Sequence, residues 1–256
     1  MAAAGVDVVI PTSPEEAVRA FGDGSAVTVL SGGTIVMPEL THGRLRPGRV
    51  LMLARSGLDR VIREDGKITI GAGVTVAALE QLDEPLASAA RHVADGEIRA
   101  QATLGGNLCA APGGEAPRGD LQAPLITLGA RVRFAGKDGE QTAPLEDFLA
   151  AGPDGRLVLD VSYDDVTRKT AYAAVRRPHS HHYTILAVAA AKEGEELRVA
   201  ATGVGPHAVR LTSVEQTGQP EEALRDCKPA DDALASAWYR RTVLPKLVAR
   251  ALQEVG

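Results

Sequence analysis

The stretch Ala102-Thr-Leu-Gly-Gly-Asn-Leu-Cys-Ala-Ala-Pro-Gly-Gly-Glu-Ala-Pro-Arg-Gly-Asp120, read with a shorter echo upstream, Leu30-Ser-Gly-Gly-Thr-Ile-Val36, decides the reading of the chain. Each places a Gly-Gly pair beside small hydroxyl or amide residues. Backbone N–H groups without a Cβ in the way can approach a bulky anion, as a protein does when it holds a diphosphate. A single Gly-Gly pair is most often only a turn. Two pairs in this company point to a ligand.

Working outward, Val6-Asp-Val-Val-Ile10 reads as a short strand, followed by a well-marked helix start. Ser13 is the cap, Pro14 suits the first helical position, and Glu16 completes a capping box. Ala17, Val18 and Phe21 form the stripe expected to be buried, and Gly22-Asp-Gly24 ends the helix. Ala26-Val-Thr-Val-Leu30 is apolar and β-branched enough for a buried strand, which delivers the chain into Ser31-Gly32-Gly33-Thr34. This is not the dinucleotide fingerprint of doubly wound folds, which needs G-x-G-x-x-G opening a helix and an acidic residue farther on; here Pro38 follows instead. Arg49–Leu53 and Lys67–Val74 read as further strands, the latter entered through the turn Glu64-Asp-Gly66. Thr75 is a cap for a helix holding Val76, Leu79 and Leu82, and a second helix runs from Leu86 to Val93, stopped by Asp95-Gly96.

The chain as a whole narrows the function classes. Its 256 residues, 45% apolar, suffice for one large domain or two modest ones with a real core. The formal charge is −5 with Lys and Arg dispersed, and aromatic content is 3%, so neither nucleic acid nor an anionic membrane is indicated as a partner. No signal-like leader and no apolar run of the roughly 18 residues that a membrane span needs are found, so a cytoplasmic location is expected. Cys109 and Cys227 belong to no CxxC pair, which excludes an iron–sulfur cluster or zinc site built from this chain's cysteines alone. A centre of that kind would come from another chain.

The run Pro85-Leu-Ala-Ser-Ala-Ala-Arg-His-Val-Ala-Asp-Gly-Glu-Ile-Arg-Ala-Gln-Ala-Thr-Leu-Gly-Gly-Asn-Leu108 closely resembles the flavin-binding subunit, or medium chain, of the molybdenum hydroxylases. That family includes carbon monoxide dehydrogenase and the xanthine dehydrogenases. Gly32-Gly33-Thr34, the Ile70-Gly-Ala-Gly-Val-Thr motif, Leu121-Gln-Ala-Pro-Leu-Ile-Thr-Leu-Gly-Ala130, Tyr172–Arg177 and Leu197–Pro206 follow in the family's order, so the resemblance covers nearly the whole chain.

The resemblance implies an α+β fold: a two-subdomain, PCMH-like FAD-binding module over residues 1–165, divided near 1–55 and 56–165, then a small α/β C-terminal domain over 166–256. It implies FAD as cofactor, with Ser31, Gly32, Gly33, Thr34, Ile35 and Val36 cradling the diphosphate. Thr103, Gly105, Gly106 and Asn107 close on the diphosphate and the flavin side, and Asp120 accepts hydrogen bonds from sugar or ribitol hydroxyls. It implies a molybdopterin-binding large subunit and a 2Fe–2S small subunit as partners, with electrons passing from the clusters through FAD to an acceptor.

Against the family pattern, Gly113–Gly119 lengthens the loop before Asp120, and the C-terminal domain is short. Cys109 reads first as a small buried thiol. The cluster Pro178-His-Ser-His-His-Tyr183 reads as an entry into the C-terminal domain before a metal site. Thr34 stands where a histidyl-flavin linkage would need His. No Ser/His/Asp or Cys/His constellation marks a protein acid or base. A free-standing FAD oxidase or dehydrogenase with a pocket at 112–119, and a flavin-free ligand-binding descendant, are the alternatives. Valine at Gly33 or Gly106 is expected to abolish FAD retention and spare the fold.

Overall fold

The computed structural model describes residues 5–110, 119–177 and 183–256, and three sheets organise them. The first is parallel and is built in the chain order β1 (Asp7–Val9), α1 (Pro14–Phe21), β2 (Val27–Leu30), α2 (Val36–Thr41) and β3 (Arg49–Met52), with β3 in the centre. Ser13 caps α1 as expected, its hydroxyl accepting from the Glu16 N–H at 3.2 Å. The Glu16 carboxylate, however, closes on the Thr12 N–H and hydroxyl, one residue before the cap. Ala17 and Phe21 are buried, and with Leu51, Leu53 and Leu58 they pack against Leu157 and Leu159 of the next sheet.

The second unit contains β4 (Val61–Glu64), β5 (Lys67–Gly71), α3 (Val76–Leu79), α4 (Leu86–His92), α5 (Gly96–Gln101), α6 (Leu104–Leu108), α7 (Gln122–Thr127), β6 (Arg131–Gly136), β7 (Gly139–Pro144), α8 (Leu145–Ala151) and β8 (Leu157–Asp164). Its strands pair antiparallel in the order β4-β5-β8-β6-β7. Ile68, Ile70, Val132, Val158 and Val161 share one core, a register shift between β6 and β8 bringing Val158 to the same side as Val161, and Leu79, Leu86, Leu104, Leu125 and Phe148 of the helices cover them. Asp95-Gly96, read as a helix stop, is instead a helix start: α4 has ended at His92, and Asp95 caps α5 by accepting the Ile98 N–H at 2.9 Å. Thr75 caps only a single turn, and Leu82 lies beyond it.

The third sheet follows from β9 (Lys169–Arg176), β10 (Thr184–Glu193), β11 (Glu196–Thr202) and β12 (Val209–Arg210), antiparallel in the order β12-β11-β10-β9. After it come α9 (Thr212–Thr217), a 3-10 turn at Pro220–Arg225, and α10 (Ala237–Val255). One face, with Ala171, Ala173, Leu186, Val188, Ala190, Val199 and Ala201, packs under Leu244, Val248 and Ala251 of α10. From the opposite face Tyr172, Ala189 and Ala200 join the core of the five-stranded unit. Small side chains on that face let the two units approach closely.

Two expectations for the C-terminus are corrected. The sequence of residues 231–254 predicts terminal helices interrupted near Pro245, with Leu234, Trp238, Leu247, Val248 and Leu252 facing inward, but Ala237–Val255 form one helix, α10, with Pro245 inside it. Trp238, assigned to the inward stripe, is 72% exposed, and Arg240 takes the buried position at 1% exposure. Arg240 Nη1 donates there to the carbonyls of Ala230 and Ala235 and Nη2 to the Asp232 carboxylate, while Nε has no partner among the described residues, so a largely paired charge sits where an aromatic ring was expected. Among the described residues, no helix is long and apolar enough to cross a membrane.

Candidate functional site

Strand β2 ends where Leu30 accepts the Leu53 N–H at 2.8 Å, and the chain then leaves the sheet through Ser31–Ile35. Gly33 adopts φ +74°, a conformation that would strain any other side chain, and its carbonyl accepts the Met37 N–H at 2.9 Å to open α2. A short helix thus does follow this loop, with Pro38 in its first turn, where a missing N–H costs nothing. The N–H groups from Gly32 through Val36 donate to no protein group among the described residues, and Ile35 offers no side-chain cap. Five consecutive unclaimed donors in a half-buried loop meet the requirement for an anion nest.

The second glycine pair behaves differently. Thr103–Asn107 is the start of α6, capped by Thr103, whose hydroxyl accepts the Gly106 N–H at 3.3 Å. The Leu104 and Gly105 N–H groups donate to the carbonyls of Val74 and Ala72 at 2.9 and 2.8 Å. The first-turn donors of α6 are therefore already used within the protein, and this element offers the anion a surface and not a nest.

The glycines divide the same way. A Cβ at Gly32 would lie 1.9 Å from the Gln101 carbonyl oxygen, and one at Gly105 would lie 2.9 Å from the Ala72 Cβ. Both are glycines because protein backbone packs there. Gly106 is exposed, and a Cβ on it would meet nothing within 4 Å except the Thr103 hydroxyl at 3.2 Å. The contact of Gly32 with Gln101 and Ala102 brings the two glycine pairs together, although they lie in different units of the fold.

Beyond α6, the buried Asn107 accepts the Leu121 N–H at 2.9 Å, which fixes the backbone beside Asp120. Asp120 is 6% exposed and lies near Tyr172, whose phenol is raised well above its ordinary pKa by burial and, secondarily, by that carboxylate. Gln122, which the sequence did not single out, is 1% exposed. Its Nε2 donates to the Leu108 carbonyl and its Oε1 accepts the Ala208 N–H, both at 2.9 Å, so one amide ties α6 to the third sheet. Helix α4 adds His92, whose ring meets Tyr172 edge-on at 5.2 Å. Burial, then the charges of Arg176, Arg91 and Arg99, lower the pKa of that imidazole.

Cys109 ends α6, and burial, with a smaller contribution from Asp154, pushes its thiol up to about 12, so it is neutral and unreactive. The histidines of the 178–183 cluster and the lengthened loop at 113–118 lie outside the described residues. Among the described residues, no group of three His, Cys, Asp or Glu side chains is placed to hold a metal ion.

Residues 4–162 match the family described as the FAD binding domain in molybdopterin dehydrogenase. The carbon monoxide dehydrogenase medium chain of Hydrogenophaga pseudoflava is 26% identical over 273 residues, covering 94% of each chain. The caffeine dehydrogenase subunit beta of a Pseudomonas species is 27% identical over 278 residues, covering 96% of this chain and 93% of the relative. The same fold recurs in quinoline 2-oxidoreductase from Pseudomonas putida, with TM-score 0.83, 20% identity and coverage of 98% of this chain and 96% of that one. It recurs again in a reconstituted CO dehydrogenase from Oligotropha carboxidovorans, with TM-score 0.83, 22% identity and coverage of 100% and 99%. Because that family match spans more than half of its length, the chain belongs to the FAD-binding family of the molybdopterin dehydrogenases.

Proposed function

We propose that the chain is the FAD-binding electron-transfer subunit of a heteromeric molybdenum hydroxylase. It would work beside a molybdopterin-binding large subunit and a 2Fe–2S small subunit, relaying electrons from the clusters to an acceptor in the cytoplasm. The run of unclaimed N–H groups from Gly32 to Val36 carries the cofactor part of this reading. Relatives named as a medium chain and as a subunit beta support the heteromeric part, as does a chain whose two free cysteines are too few for a cluster.

In this reading the N–H groups of Gly32, Gly33, Thr34, Ile35 and Val36 hold the diphosphate, with the hydroxyls of Ser31 and Thr34 beside them. Gly32 and Gly105 contribute by letting backbone close on backbone, while Thr103 and the bare Gly106 give the surface along which the cofactor lies. Asp120, fixed through Asn107 and Leu121, accepts from sugar or ribitol hydroxyls. When bound, FAD supplies one- and two-electron redox chemistry. The protein's part is to bind, orient and exclude water, and none of these residues is asked to act as acid or base. The FAD-binding module is assigned to 1–165, with subdomains meeting near residue 55, and the C-terminal domain to 166–256; β8 ends at Asp164 and β9 begins at Lys169.

Purification of the chain alone, its visible spectrum and chromatography of the released cofactor test the reading. A flavin spectrum, release of FAD on denaturation, and no oxidation of small-molecule donors without partner chains are the expected results. A protein that stays colourless after incubation with FAD would contradict it, and turnover by the isolated chain would favour a free-standing oxidase.

A further inference from the structure

Met37 lies in the first turn of α2, and its side chain closes on the loop of unclaimed N–H groups. A Cβ built on Gly33 would lie 3.1 Å from the Met37 Cγ and 3.6 Å from the Leu30 Cδ1. The Met37 backbone is fixed to the same residue, its N–H donating to the Gly33 carbonyl at 2.9 Å. The residue is nonetheless 48% exposed, and along residues 31–48, which join β2 to β3, it is the exposed large apolar side chain. A lone apolar residue on a surface is ordinary. One seated against five consecutive unclaimed donors stands where a bound ligand would cover it.

The two glycines of the pair face different neighbours. The backbone of Gln101 and Ala102 fills the Cβ position of Gly32, whereas Met37 fills that of Gly33. Each phosphate of FAD carries one half of the cofactor. In the proposed reading the flavin half runs along α6 toward Asp120, on the Gly32 side, which leaves the Gly33 side to the adenosine half. A purine is flat and largely apolar on its faces, and binding sites hold such rings against aromatic or aliphatic side chains. Between Phe21 and Phe134 the sequence holds no Phe, Tyr or Trp, so neither glycine loop carries such a ring for it to stack on. A thioether is the substitute at hand, because it is flexible and polarizable and packs favourably on aromatic rings.

We propose that Met37 is the apolar contact for the adenine base of the bound dinucleotide, and that it favours a cofactor with an adenosine half over a flavin mononucleotide. The inference rests on the assignment of FAD to this site. It adds a side chain that reads the base to a loop whose N–H groups read only phosphate.

The test uses the full chain as wild type, Met37→Ser and Met37→Leu, titrated with FAD and FMN by flavin fluorescence and with ADP by calorimetry. ADP carries the adenosine half and the diphosphate without the flavin, and FMN carries the flavin and one phosphate without adenosine. Met37→Ser is expected to weaken FAD and ADP binding by the same factor, about fivefold to tenfold, and to leave FMN affinity and the melting temperature of the cofactor-free chain unchanged. Met37→Leu should keep FAD and ADP affinities within about twofold of wild type. Unchanged FAD and ADP affinities in Met37→Ser would overturn the proposal. So would equal losses for all three ligands, the mark of a damaged loop, or a loss for FMN with ADP spared, which would put Met37 on the flavin half. Wild-type protein that does not bind FAD would instead overturn the FAD assignment itself, and the proposal with it.

Discussion

Gly32 and Gly106 both belong to Gly-Gly pairs, yet an added methyl group meets a carbonyl oxygen at 1.9 Å in one case and nearly open space in the other. The difference separates stability from binding. Gly32→Ala is expected to destabilise the fold by about 1–3 kcal/mol in chemical denaturation, because the Gln101 backbone cannot yield to it. Gly106→Val should leave the denaturation midpoint nearly unchanged while weakening FAD binding by at least about tenfold, since in the proposed reading its side chain would project onto the cofactor. Equal destabilisation of the two variants would remove Gly106 from the site. Gly33 is a poorer probe than the sequence implied, because φ +74° makes a β-branched residue there strained whether or not a ligand is present. The pattern of glycines was legible in the sequence. What each glycine faces was not, because Gln101 and Ala72 reach these positions only through tertiary pairing. Gln122 was hidden for the same reason, since its partners at Leu108 and Ala208 belong to other elements.

Among the elements, those specified by local chemistry were readable: the Ser13 cap of α1, the Thr75 cap of α3, and the strand identity of the alternating segments. Elements whose local signals conflict were not. Pro38 and Pro245 argued against helices that exist, because one proline lies in a first turn and the other is held inside a helix by its packing on the third sheet. Where α4 meets β9, the partly buried His92 gives a pH dependence with a definite sign. Its folded pKa is below the ordinary value of 6.5, so between those two values the unfolded chain binds the proton more readily. The stability this neutral imidazole contributes is complete above pH 6.5 and is lost as the pH falls through the window below it. Thermal melts from pH 7.5 to 5 should show a decline that flattens in His92→Gln. A variant with the wild-type slope would show that other groups set the acid limit.

At the scale of the whole molecule, three sheets converge on a short helix. The parallel sheet leads into the loop of unclaimed N–H groups, the antiparallel sheet supports α6 by pairing residues 72–76 with 102–105, and the third sheet is tied in through Gln122. The order of motifs made this family legible, and the division of labour between the glycine pairs appears only when hydrogen bonds are followed atom by atom. That division is open to one direct measurement, amide hydrogen exchange of the full chain with and without FAD. Without FAD, the amides of Gly32–Val36 should exchange rapidly and those of Leu104–Gly106 slowly, because only the latter already have acceptors. Saturating FAD should protect Gly32–Val36 strongly and change Leu104–Gly106 little. Protection that appears at Leu104–Gly106 while Gly32–Val36 continues to exchange freely would contradict the placement of the diphosphate on the first loop.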